Sequence, residues 1–228
     1  DFAYTPVIQS NSDYSLKLTG TNSAENVSSD CVLLNLCGKF HEMHCLLVRT
    51  LLVTPLSSAR RHYRALEFLQ SQVISHLLAG EALSKVFGDS RAAFLERFPD
   101  LEAALPQSFG FGMGFEYKER CLSISSKNPR RVQDRQVFAV VTSLRGLQGF
   151  ASGKVYAMQL ADTVVITLGR AEVLTDKISK KIDEVGYDFK EEPRMPEHDN
   201  YMRRKLRLLE KRRTSFRGGG SLGQPCVK

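Results

Sequence analysis

Two apolar runs, CVLLNLCGKF from Cys31 and HCLLVRTLLV from His44, meet around the sequence KFHE, and their length and branched residues suit strands. They predict an antiparallel hairpin buried on at least one face. A turn centred on Phe40-His41 sets Asn35 opposite Leu46. Upstream, Asp1 to Lys17 is turn-rich, with Thr5-Pro6 and SNSD, and ends in the alternating YSLKL, which predicts a short half-buried strand before the polar loop TGTNSAENVSSD.

After the hairpin the period changes. Thr54-Pro55 reads as a helix start, with Thr as N-cap and Pro at the first helical position, where a missing N–H costs nothing. Leu56, Ala59, Tyr63, Leu66, Leu69 or Gln70, Val73 and Leu77 then recur at helical spacing until Gly80, a residue suited to the left-handed close of a helix. A second helix is predicted from about Glu81 to Phe98, stopped by Pro99. Beyond Leu105-Pro106 come a glycine-rich stretch, RCLSIS, a basic turn at KNPRR, and three runs read as strands: QVFAVVTSL, KVYAMQL and DTVVITL. Hairpin, two helices, then strands is an α+β order in which helices cover a largely antiparallel sheet. No internal repeat or low-complexity tract interrupts it, and Gly218 to Gly220 begin a loose end.

Composition changes this picture little. At 228 residues and 42% hydrophobic, the chain has enough material for a substantial core. No stretch approaches the roughly 20 apolar residues that span a bilayer. The opening DFAYTPVIQS resembles no signal peptide, so a soluble, intracellular protein is expected, its abrupt start that of a piece of something longer. Five cysteines (Cys31, Cys37, Cys45, Cys121, Cys226) form an odd set without a C-x-x-C pair, which predicts reduced, mostly buried thiols and neither a disulfide framework nor a zinc knuckle. Asn26-Val27-Ser28 matches a glycosylation acceptor only by chance. The net charge of +7 is concentrated: nine Lys/Arg against three Asp/Glu lie between Arg194 and Arg217, against 23 and 22 elsewhere. The body is therefore near neutral and does not suggest a basic face tracking nucleic acid.

The glycine stretch FGFGMGFEYKE, Phe109 to Glu119, raises the question of a phosphate cradle. Its spacing is G-x-G-x-G, which is neither G-x-x-x-x-G-K-[ST] nor G-x-G-x-x-G, and the continuation FEYKERCLSIS reads as strand, not as a helix with its N-terminus at a ligand. A nucleotide site is not expected. A serine or cysteine hydrolase is not favoured either: Ser108 lacks a G-x-S-x-G elbow, and Cys45 beside His44 sits in a strand, where adjacent side chains face opposite ways.

TPVIQSNSDYSLKL, LLNLCGKFHEMHCLLVRTLLV, SFGFGMGFEYKE, VFAVVTSL and YAMQLADTVVIT, in that order and spacing, resemble the peptidase-like N-terminal module of the large subunits of FACT histone chaperones. The resemblance covers Asp1 to about Phe189 and matches only the C-terminal half of that module. It implies a creatinase/aminopeptidase-like pita-bread fold, α+β, with a mostly antiparallel curved sheet covered by helices. Active members of that fold hold two divalent metals with two aspartates on a hairpin, a histidine in a glycine-flanked motif and two glutamates on later strands. The matching positions here are Asn35, Leu46, Phe111, Val141 and Ala161. Hard cations want carboxylate oxygen and imidazole nitrogen, and none of the five side chains offers either.

The resemblance therefore implies a site that has lost its metal, with no catalytic residue and no cofactor, where the glycines let strands pack closely and the Phe111 ring fills the emptied space. Burying one Phe is worth roughly 1.5–3 kcal/mol. Implied in turn are a nuclear, chromosomal protein, core histones or nucleosomes and the smaller FACT subunit as partners, work in transcription, replication and repair, and no membrane. A metal-dependent aminopeptidase or prolidase with atypical ligands is the alternative, and His41-Glu42-Met43-His44 its sole local support. That cluster lacks the H-E-x-x-H spacing, and strand residues three apart point to opposite sides.

The domain expected from 1 to 189 is followed by a basic linker or tail, 190–228. In it Met202, Leu206 and Leu209 allow a short amphipathic helix before a disordered end. Arg203, Arg204, Lys205, Arg207, Lys211, Arg212 and Arg213 are its candidate contacts, for nuclear import or for weak DNA binding through counterion release. Here the chain departs from the FACT subunits, whose corresponding region usually turns acidic.

Overall fold

A computed structural model describes residues 1–10, 14–23 and 30–188. Within them the elements run β1 (Val7–Gln9), β2 (Cys31–Phe40), β3 (Met43–Val53), α1 (Ser57–His76), α2 (Leu83–Arg97), β4 (Gly110–Gly112), β5 (Val137–Leu147), β6 (Tyr156–Thr167), β7 (Arg170–Val173), α3 (Ile182–Val185) and β8 (Gly186–Tyr187). They form one sheet in the order β1-β2-β3-β6-β5-β4, with β7 added beside β6 and β8 beside β3. Every pairing is antiparallel except β3 with β8.

The period-2 rule explains how this sheet carries two cores. On β5, Phe138, Val140 and Leu144 face one side, and on β6 so do Met158, Leu160 and Val164. This side packs against Tyr63, Leu66, Leu69 and Val73 of α1, with Val86, Phe87 and Phe94 of α2 behind. The alternate residues, Ala139 on β5 and Ala161 on β6, belong to a second apolar cluster with Leu33, Cys37, Leu46, Val48, Phe111 and Met113. That second face holds the candidate site.

Several expectations are corrected. The hairpin turns at His41-Glu42, both with positive φ, so Asn35 faces Val48 and Leu46 faces Cys37. The shift is two residues, which leaves every side chain on its expected face. Tyr14 to Leu18 is not a strand. The sheet edge is taken by β1, with Val7 against Asn35, and carbonyls of the 14–19 strip are bonded by side chains instead: Asn35 to Leu18 and Gln159 to Leu16. Helix α1 begins at Ser57 rather than Pro55, because the preceding chain is still held to the sheet. The Thr54 amide donates to Tyr187 at 2.6 Å, and Val53 pairs with Tyr187. The helix ends at His76; Gly80 takes the left-handed conformation (φ +89°) only in the turn beyond. Pro99 does end α2, whose C-cap is Phe98, and a 3-10 segment then runs from Pro99 to Ala104.

RCLSIS is not strand either. Arg120–Leu122 forms a 3-10 turn, and the Asn128 side chain holds the carbonyls of Cys121 and Ser123. KVYAMQL and DTVVITL are one unbroken strand, β6. Asp162, the first residue of the second run, lies inside it, fully buried and bonded by Arg49 (2.7 Å), Lys180 (2.6 Å), Gln70 (3.1 Å) and Thr175 (2.9 Å). Cys31 and Cys37 are buried free thiols as expected, whereas Cys45 and Cys121 are exposed. The basic tail and Cys226 lie outside the described residues. Among those described, no helix is long and apolar enough to cross a membrane.

Candidate functional site

Strand register brings the five singled-out positions into one patch. Asn35 faces Val48, Val48 faces Ala161, and Ala161 faces Val141, a row across β2, β3, β6 and β5. Leu46 lies two residues from Val48 on the same face, and Phe111 of β4 sits opposite Ala139, two residues from Val141. Leu46, Phe111 and Ala161 are buried in the second cluster, and Val141 packs against it.

The polar atoms here are engaged with one another. Asn35 is buried; its Oδ1 accepts from the Tyr4 hydroxyl at 2.8 Å and its Nδ2 donates to the Leu18 carbonyl at 2.6 Å. The Tyr117 hydroxyl lies 3.4 Å from that of Tyr4, with the rings edge-on at 5.4 Å. Burial pushes the Tyr4 hydroxyl up to about 12 and the Cys37 thiol up to about 11, and raises Tyr117 further still, so all three are protonated at neutral pH. The Phe111 ring meets Tyr117 edge-on at 5.9 Å, and the Lys118 ammonium stands 4.9 Å from its centroid.

This donor set does not fit a pair of divalent cations. Such ions need several anionic oxygens, and the patch offers one neutral carboxamide whose two ends are already bonded, beside hydrocarbon and a cation. Among the described residues no group of three or more His, Cys, Asp and Glu is arranged to hold a metal. The histidines of the hairpin do not converge. His41 sits in the turn with its ring 4.2 Å from Phe40, whereas His44 bonds the Gly114 carbonyl through Nδ1 at 2.9 Å. Glu42 between them is taken by Lys39 at 2.6 Å.

Two of the three glycines are explained by close approach. A Cβ on Gly110, whose φ is +143°, would stand 2.1 Å from the Ala139 carbonyl oxygen, and one on Gly112 would stand 2.6 Å from Leu122 Cδ1. Gly114 has ordinary room, its nearest neighbour at 3.6 Å. The glycines thus let β4 lie tight against β5 and Leu122.

Over the patch opens a cleft of about 530 Å³, walled by the 14–19 strip, Phe111, Tyr117, Lys118, Arg145 and Gln159. Sequence reasoning missed its cations, Lys17, Lys118 and Arg145. They come from three distant segments, and only the place of Lys118 beside the glycine stretch hinted at a role.

The matching family model is that of metallopeptidase family M24, over residues 1–168. Among curated proteins the chain is similar to FACT complex subunit SPT16 of Eremothecium gossypii, 30% identical over 195 residues, and of Zea mays, 29% over 198. Each match covers 84% of this chain but 19% of the relative, so the chain spans about a fifth of those proteins' length. The solved N-terminal domain of the Eremothecium subunit superposes with a TM-score of 0.78 at 27% identity, covering 83% of this chain and 43% of that one. The prolidase of Pyrococcus furiosus, at 20% identity and a TM-score of 0.66 over 76% of this chain and 49% of that one, shares the fold.

Proposed function

We propose a function from one premise: the chain belongs to metallopeptidase family M24, and its architecture is the α+β, creatinase/aminopeptidase-like pita-bread fold. On our reading it is a non-catalytic, peptidase-like module of a FACT-type histone chaperone. The observation that carries the loss of catalysis is the donor set at Asn35, Leu46, Phe111, Val141 and Ala161, the positions that correspond to the ligands of active members. Asn35 alone among them bears a side-chain heteroatom, and it serves Tyr4 and Leu18.

What supports the chaperone assignment is the likeness to SPT16 along 84% of the chain. The module acts in the nucleus, on chromosomes. It binds core histones or nucleosomes during transcription, replication and repair and assembles with the smaller FACT subunit, while the basic tail adds a weak DNA contact. No metal or cofactor takes part. The rival is a metal-dependent aminopeptidase or prolidase, and the shared prolidase fold is the observation in its favour; the missing carboxylates weigh against it.

The test is retention of purified core histones by the immobilised chain at low and at moderate salt. Retention at both supports the module; no retention even at low salt overturns it. Metal-dependent cleavage of X-Pro dipeptides, abolished by His41→Ala with His44→Ala, would favour the enzyme.

A further inference from the structure

Over β5 and β6 one face of the sheet is roofed by α1; over β1, β2 and β3 the same face is bordered, among the described residues, by the segment around Ile178 to Tyr187. Strand alternation turns Asn35, Cys37 and Leu46 toward the patch, so Leu34, Leu36, Leu47 and Leu51 point the other way, each only half-buried. Ile8 stands opposite Leu34 and Phe2 opposite Gly38, both exposed. At the tip of the hairpin Phe40 pairs with Met43, and the Phe40 ring is 76% exposed. Toward the other end the face sinks into a groove of about 280 Å³, floored by the four leucines and bordered by Ile178 and Tyr187. Little charge reaches it. Of the charged residues lining the groove, Arg49 is buried and held by Asp162 and the Ile178 carbonyl, which leaves Glu184 at the rim.

We propose that this face is the contact between two copies of this chain, related by a two-fold axis. The protruding tip and the groove lie on one hairpin, and the Phe40-Met43 pair is about 20 Å along the strands from the Leu34-Arg49 pair at the groove. An axis through their midpoint, at the Cys37-Leu46 pair, sets the tip of each copy into the groove of the other, a self-complementary contact that closes as a pair. Any other apolar partner has to supply both a knob and a hollow at that spacing; a second copy does so by identity. The size agrees. Phe2, Ile8, Phe40, Met43, Ile178 and Tyr187, with the half-buried leucines, present on the order of 700 Å² of apolar surface per copy, near the roughly 800 Å² per partner of a stable interface. That is also more than the roughly 300–600 Å² of a typical monomer's largest apolar patch. A polyanion or a strongly basic segment finds no charge to match here, whereas two such faces meet without like-charge repulsion. The pairing goes beyond the chaperone reading and does not rest on it.

The experiment is sedimentation of the full chain across micromolar concentrations, where a reversible monomer–dimer equilibrium is expected. The dissociation constant of the dimer should rise about tenfold or more in Phe40→Glu, which alters the tip, and in Leu36→Glu, which alters the groove. Phe40 is exposed in the single chain, so its variant keeps the fold, and an unchanged far-UV circular dichroism spectrum checks that. Cys45, exposed and opposite Gly38, stands beside the proposed axis. With Cys121→Ser and Cys226→Ser in place, a short bismaleimide is expected to join two copies, and Cys45→Ser to prevent it. A chain that stays monomeric overturns the proposal, and its flotation with neutral lipid vesicles would give the face to a lipid surface instead. Dimerisation that neither glutamate variant weakens puts the contact elsewhere and overturns it too, as do larger aggregates without a discrete dimer.

Discussion

The Tyr4 hydroxyl donates a 2.8 Å hydrogen bond to Oδ1 of Asn35, the one hetero-atom-bearing side chain among the five positions that, on our proposal, stand where active members hold metal ligands. With Nδ2 bonded to the Leu18 carbonyl at 2.6 Å, the carboxamide fastens the N-terminal segment and the 14–19 strip to β2. Asn35→Leu removes both bonds, taking from the Leu18 carbonyl its Asn35 donor and leaving the Tyr4 hydroxyl only the longer contact with Tyr117 at 3.4 Å. A loss of about 1–3 kcal/mol is expected in urea unfolding. Tyr4→Phe, which spares the Leu18 bond, is expected to lose less.

The glycines rank themselves. Gly110→Ala combines a positive φ with a Cβ 2.1 Å from a backbone oxygen, so it is expected to be the most damaging of the three. Gly112→Ala needs only Leu122 to move and is expected to cost less. Gly114→Ala has room and is expected to stay within about 0.5 kcal/mol of wild type. Thermal midpoints of the three single variants check this order.

Across the sheet, Arg49 and Asp162 form a buried pair at 2.7 Å with Lys180 as second cation. Burial pulls the Asp162 carboxyl upward, and Arg49 and Lys180 outweigh it, so it lies below the ordinary range. A carboxyl with a depressed native pKa contributes stability that is present above its unfolded value and lost as pH falls through the native one. Arg49→Ala is therefore expected to cost about 3–5 kcal/mol near pH 7. The gap from wild type should narrow in acid, as followed by denaturant midpoints across pH.

Glu67 behaves oppositely. Burial, with Asp183 adding to it and Arg64 opposing, pushes its carboxyl up to about 7 from 4.5. Its native form holds a proton that the unfolded chain has released, so stability declines as pH rises from about 4.5 to about 7. Glu67→Gln removes that decline. It is expected to raise stability at pH 8 by no more than about 1 kcal/mol, since solvent screens a half-exposed group, and to do nothing near pH 4.

The hairpin, the two helices and the α+β order were legible because strand runs and helical periodicity are written locally. What was not legible depended on partners far along the chain. KVYAMQL and DTVVITL read as two strands, and their union with a buried Asp162 shows only once Arg49, Gln70, Thr175 and Lys180 converge on it. Tyr14 to Leu18 has strand alternation, but its carbonyls go to Asn35 and Gln159. The turn lies one residue beyond Phe40-His41, which shifts the pairing by two residues, a change that period 2 forgives, so the patch kept its membership. The cleft cations were invisible as a group, since nothing local to Lys17 or Arg145 signals that they share a wall with Lys118.

The most direct measurement is calorimetric titration of the purified chain with cobalt(II) and manganese(II). A patch floored by Leu46, Phe111, Val141 and Ala161 predicts only heats of dilution. Saturable uptake of two ions per chain, abolished by Asn35→Ala in a variant that stays folded, would contradict it.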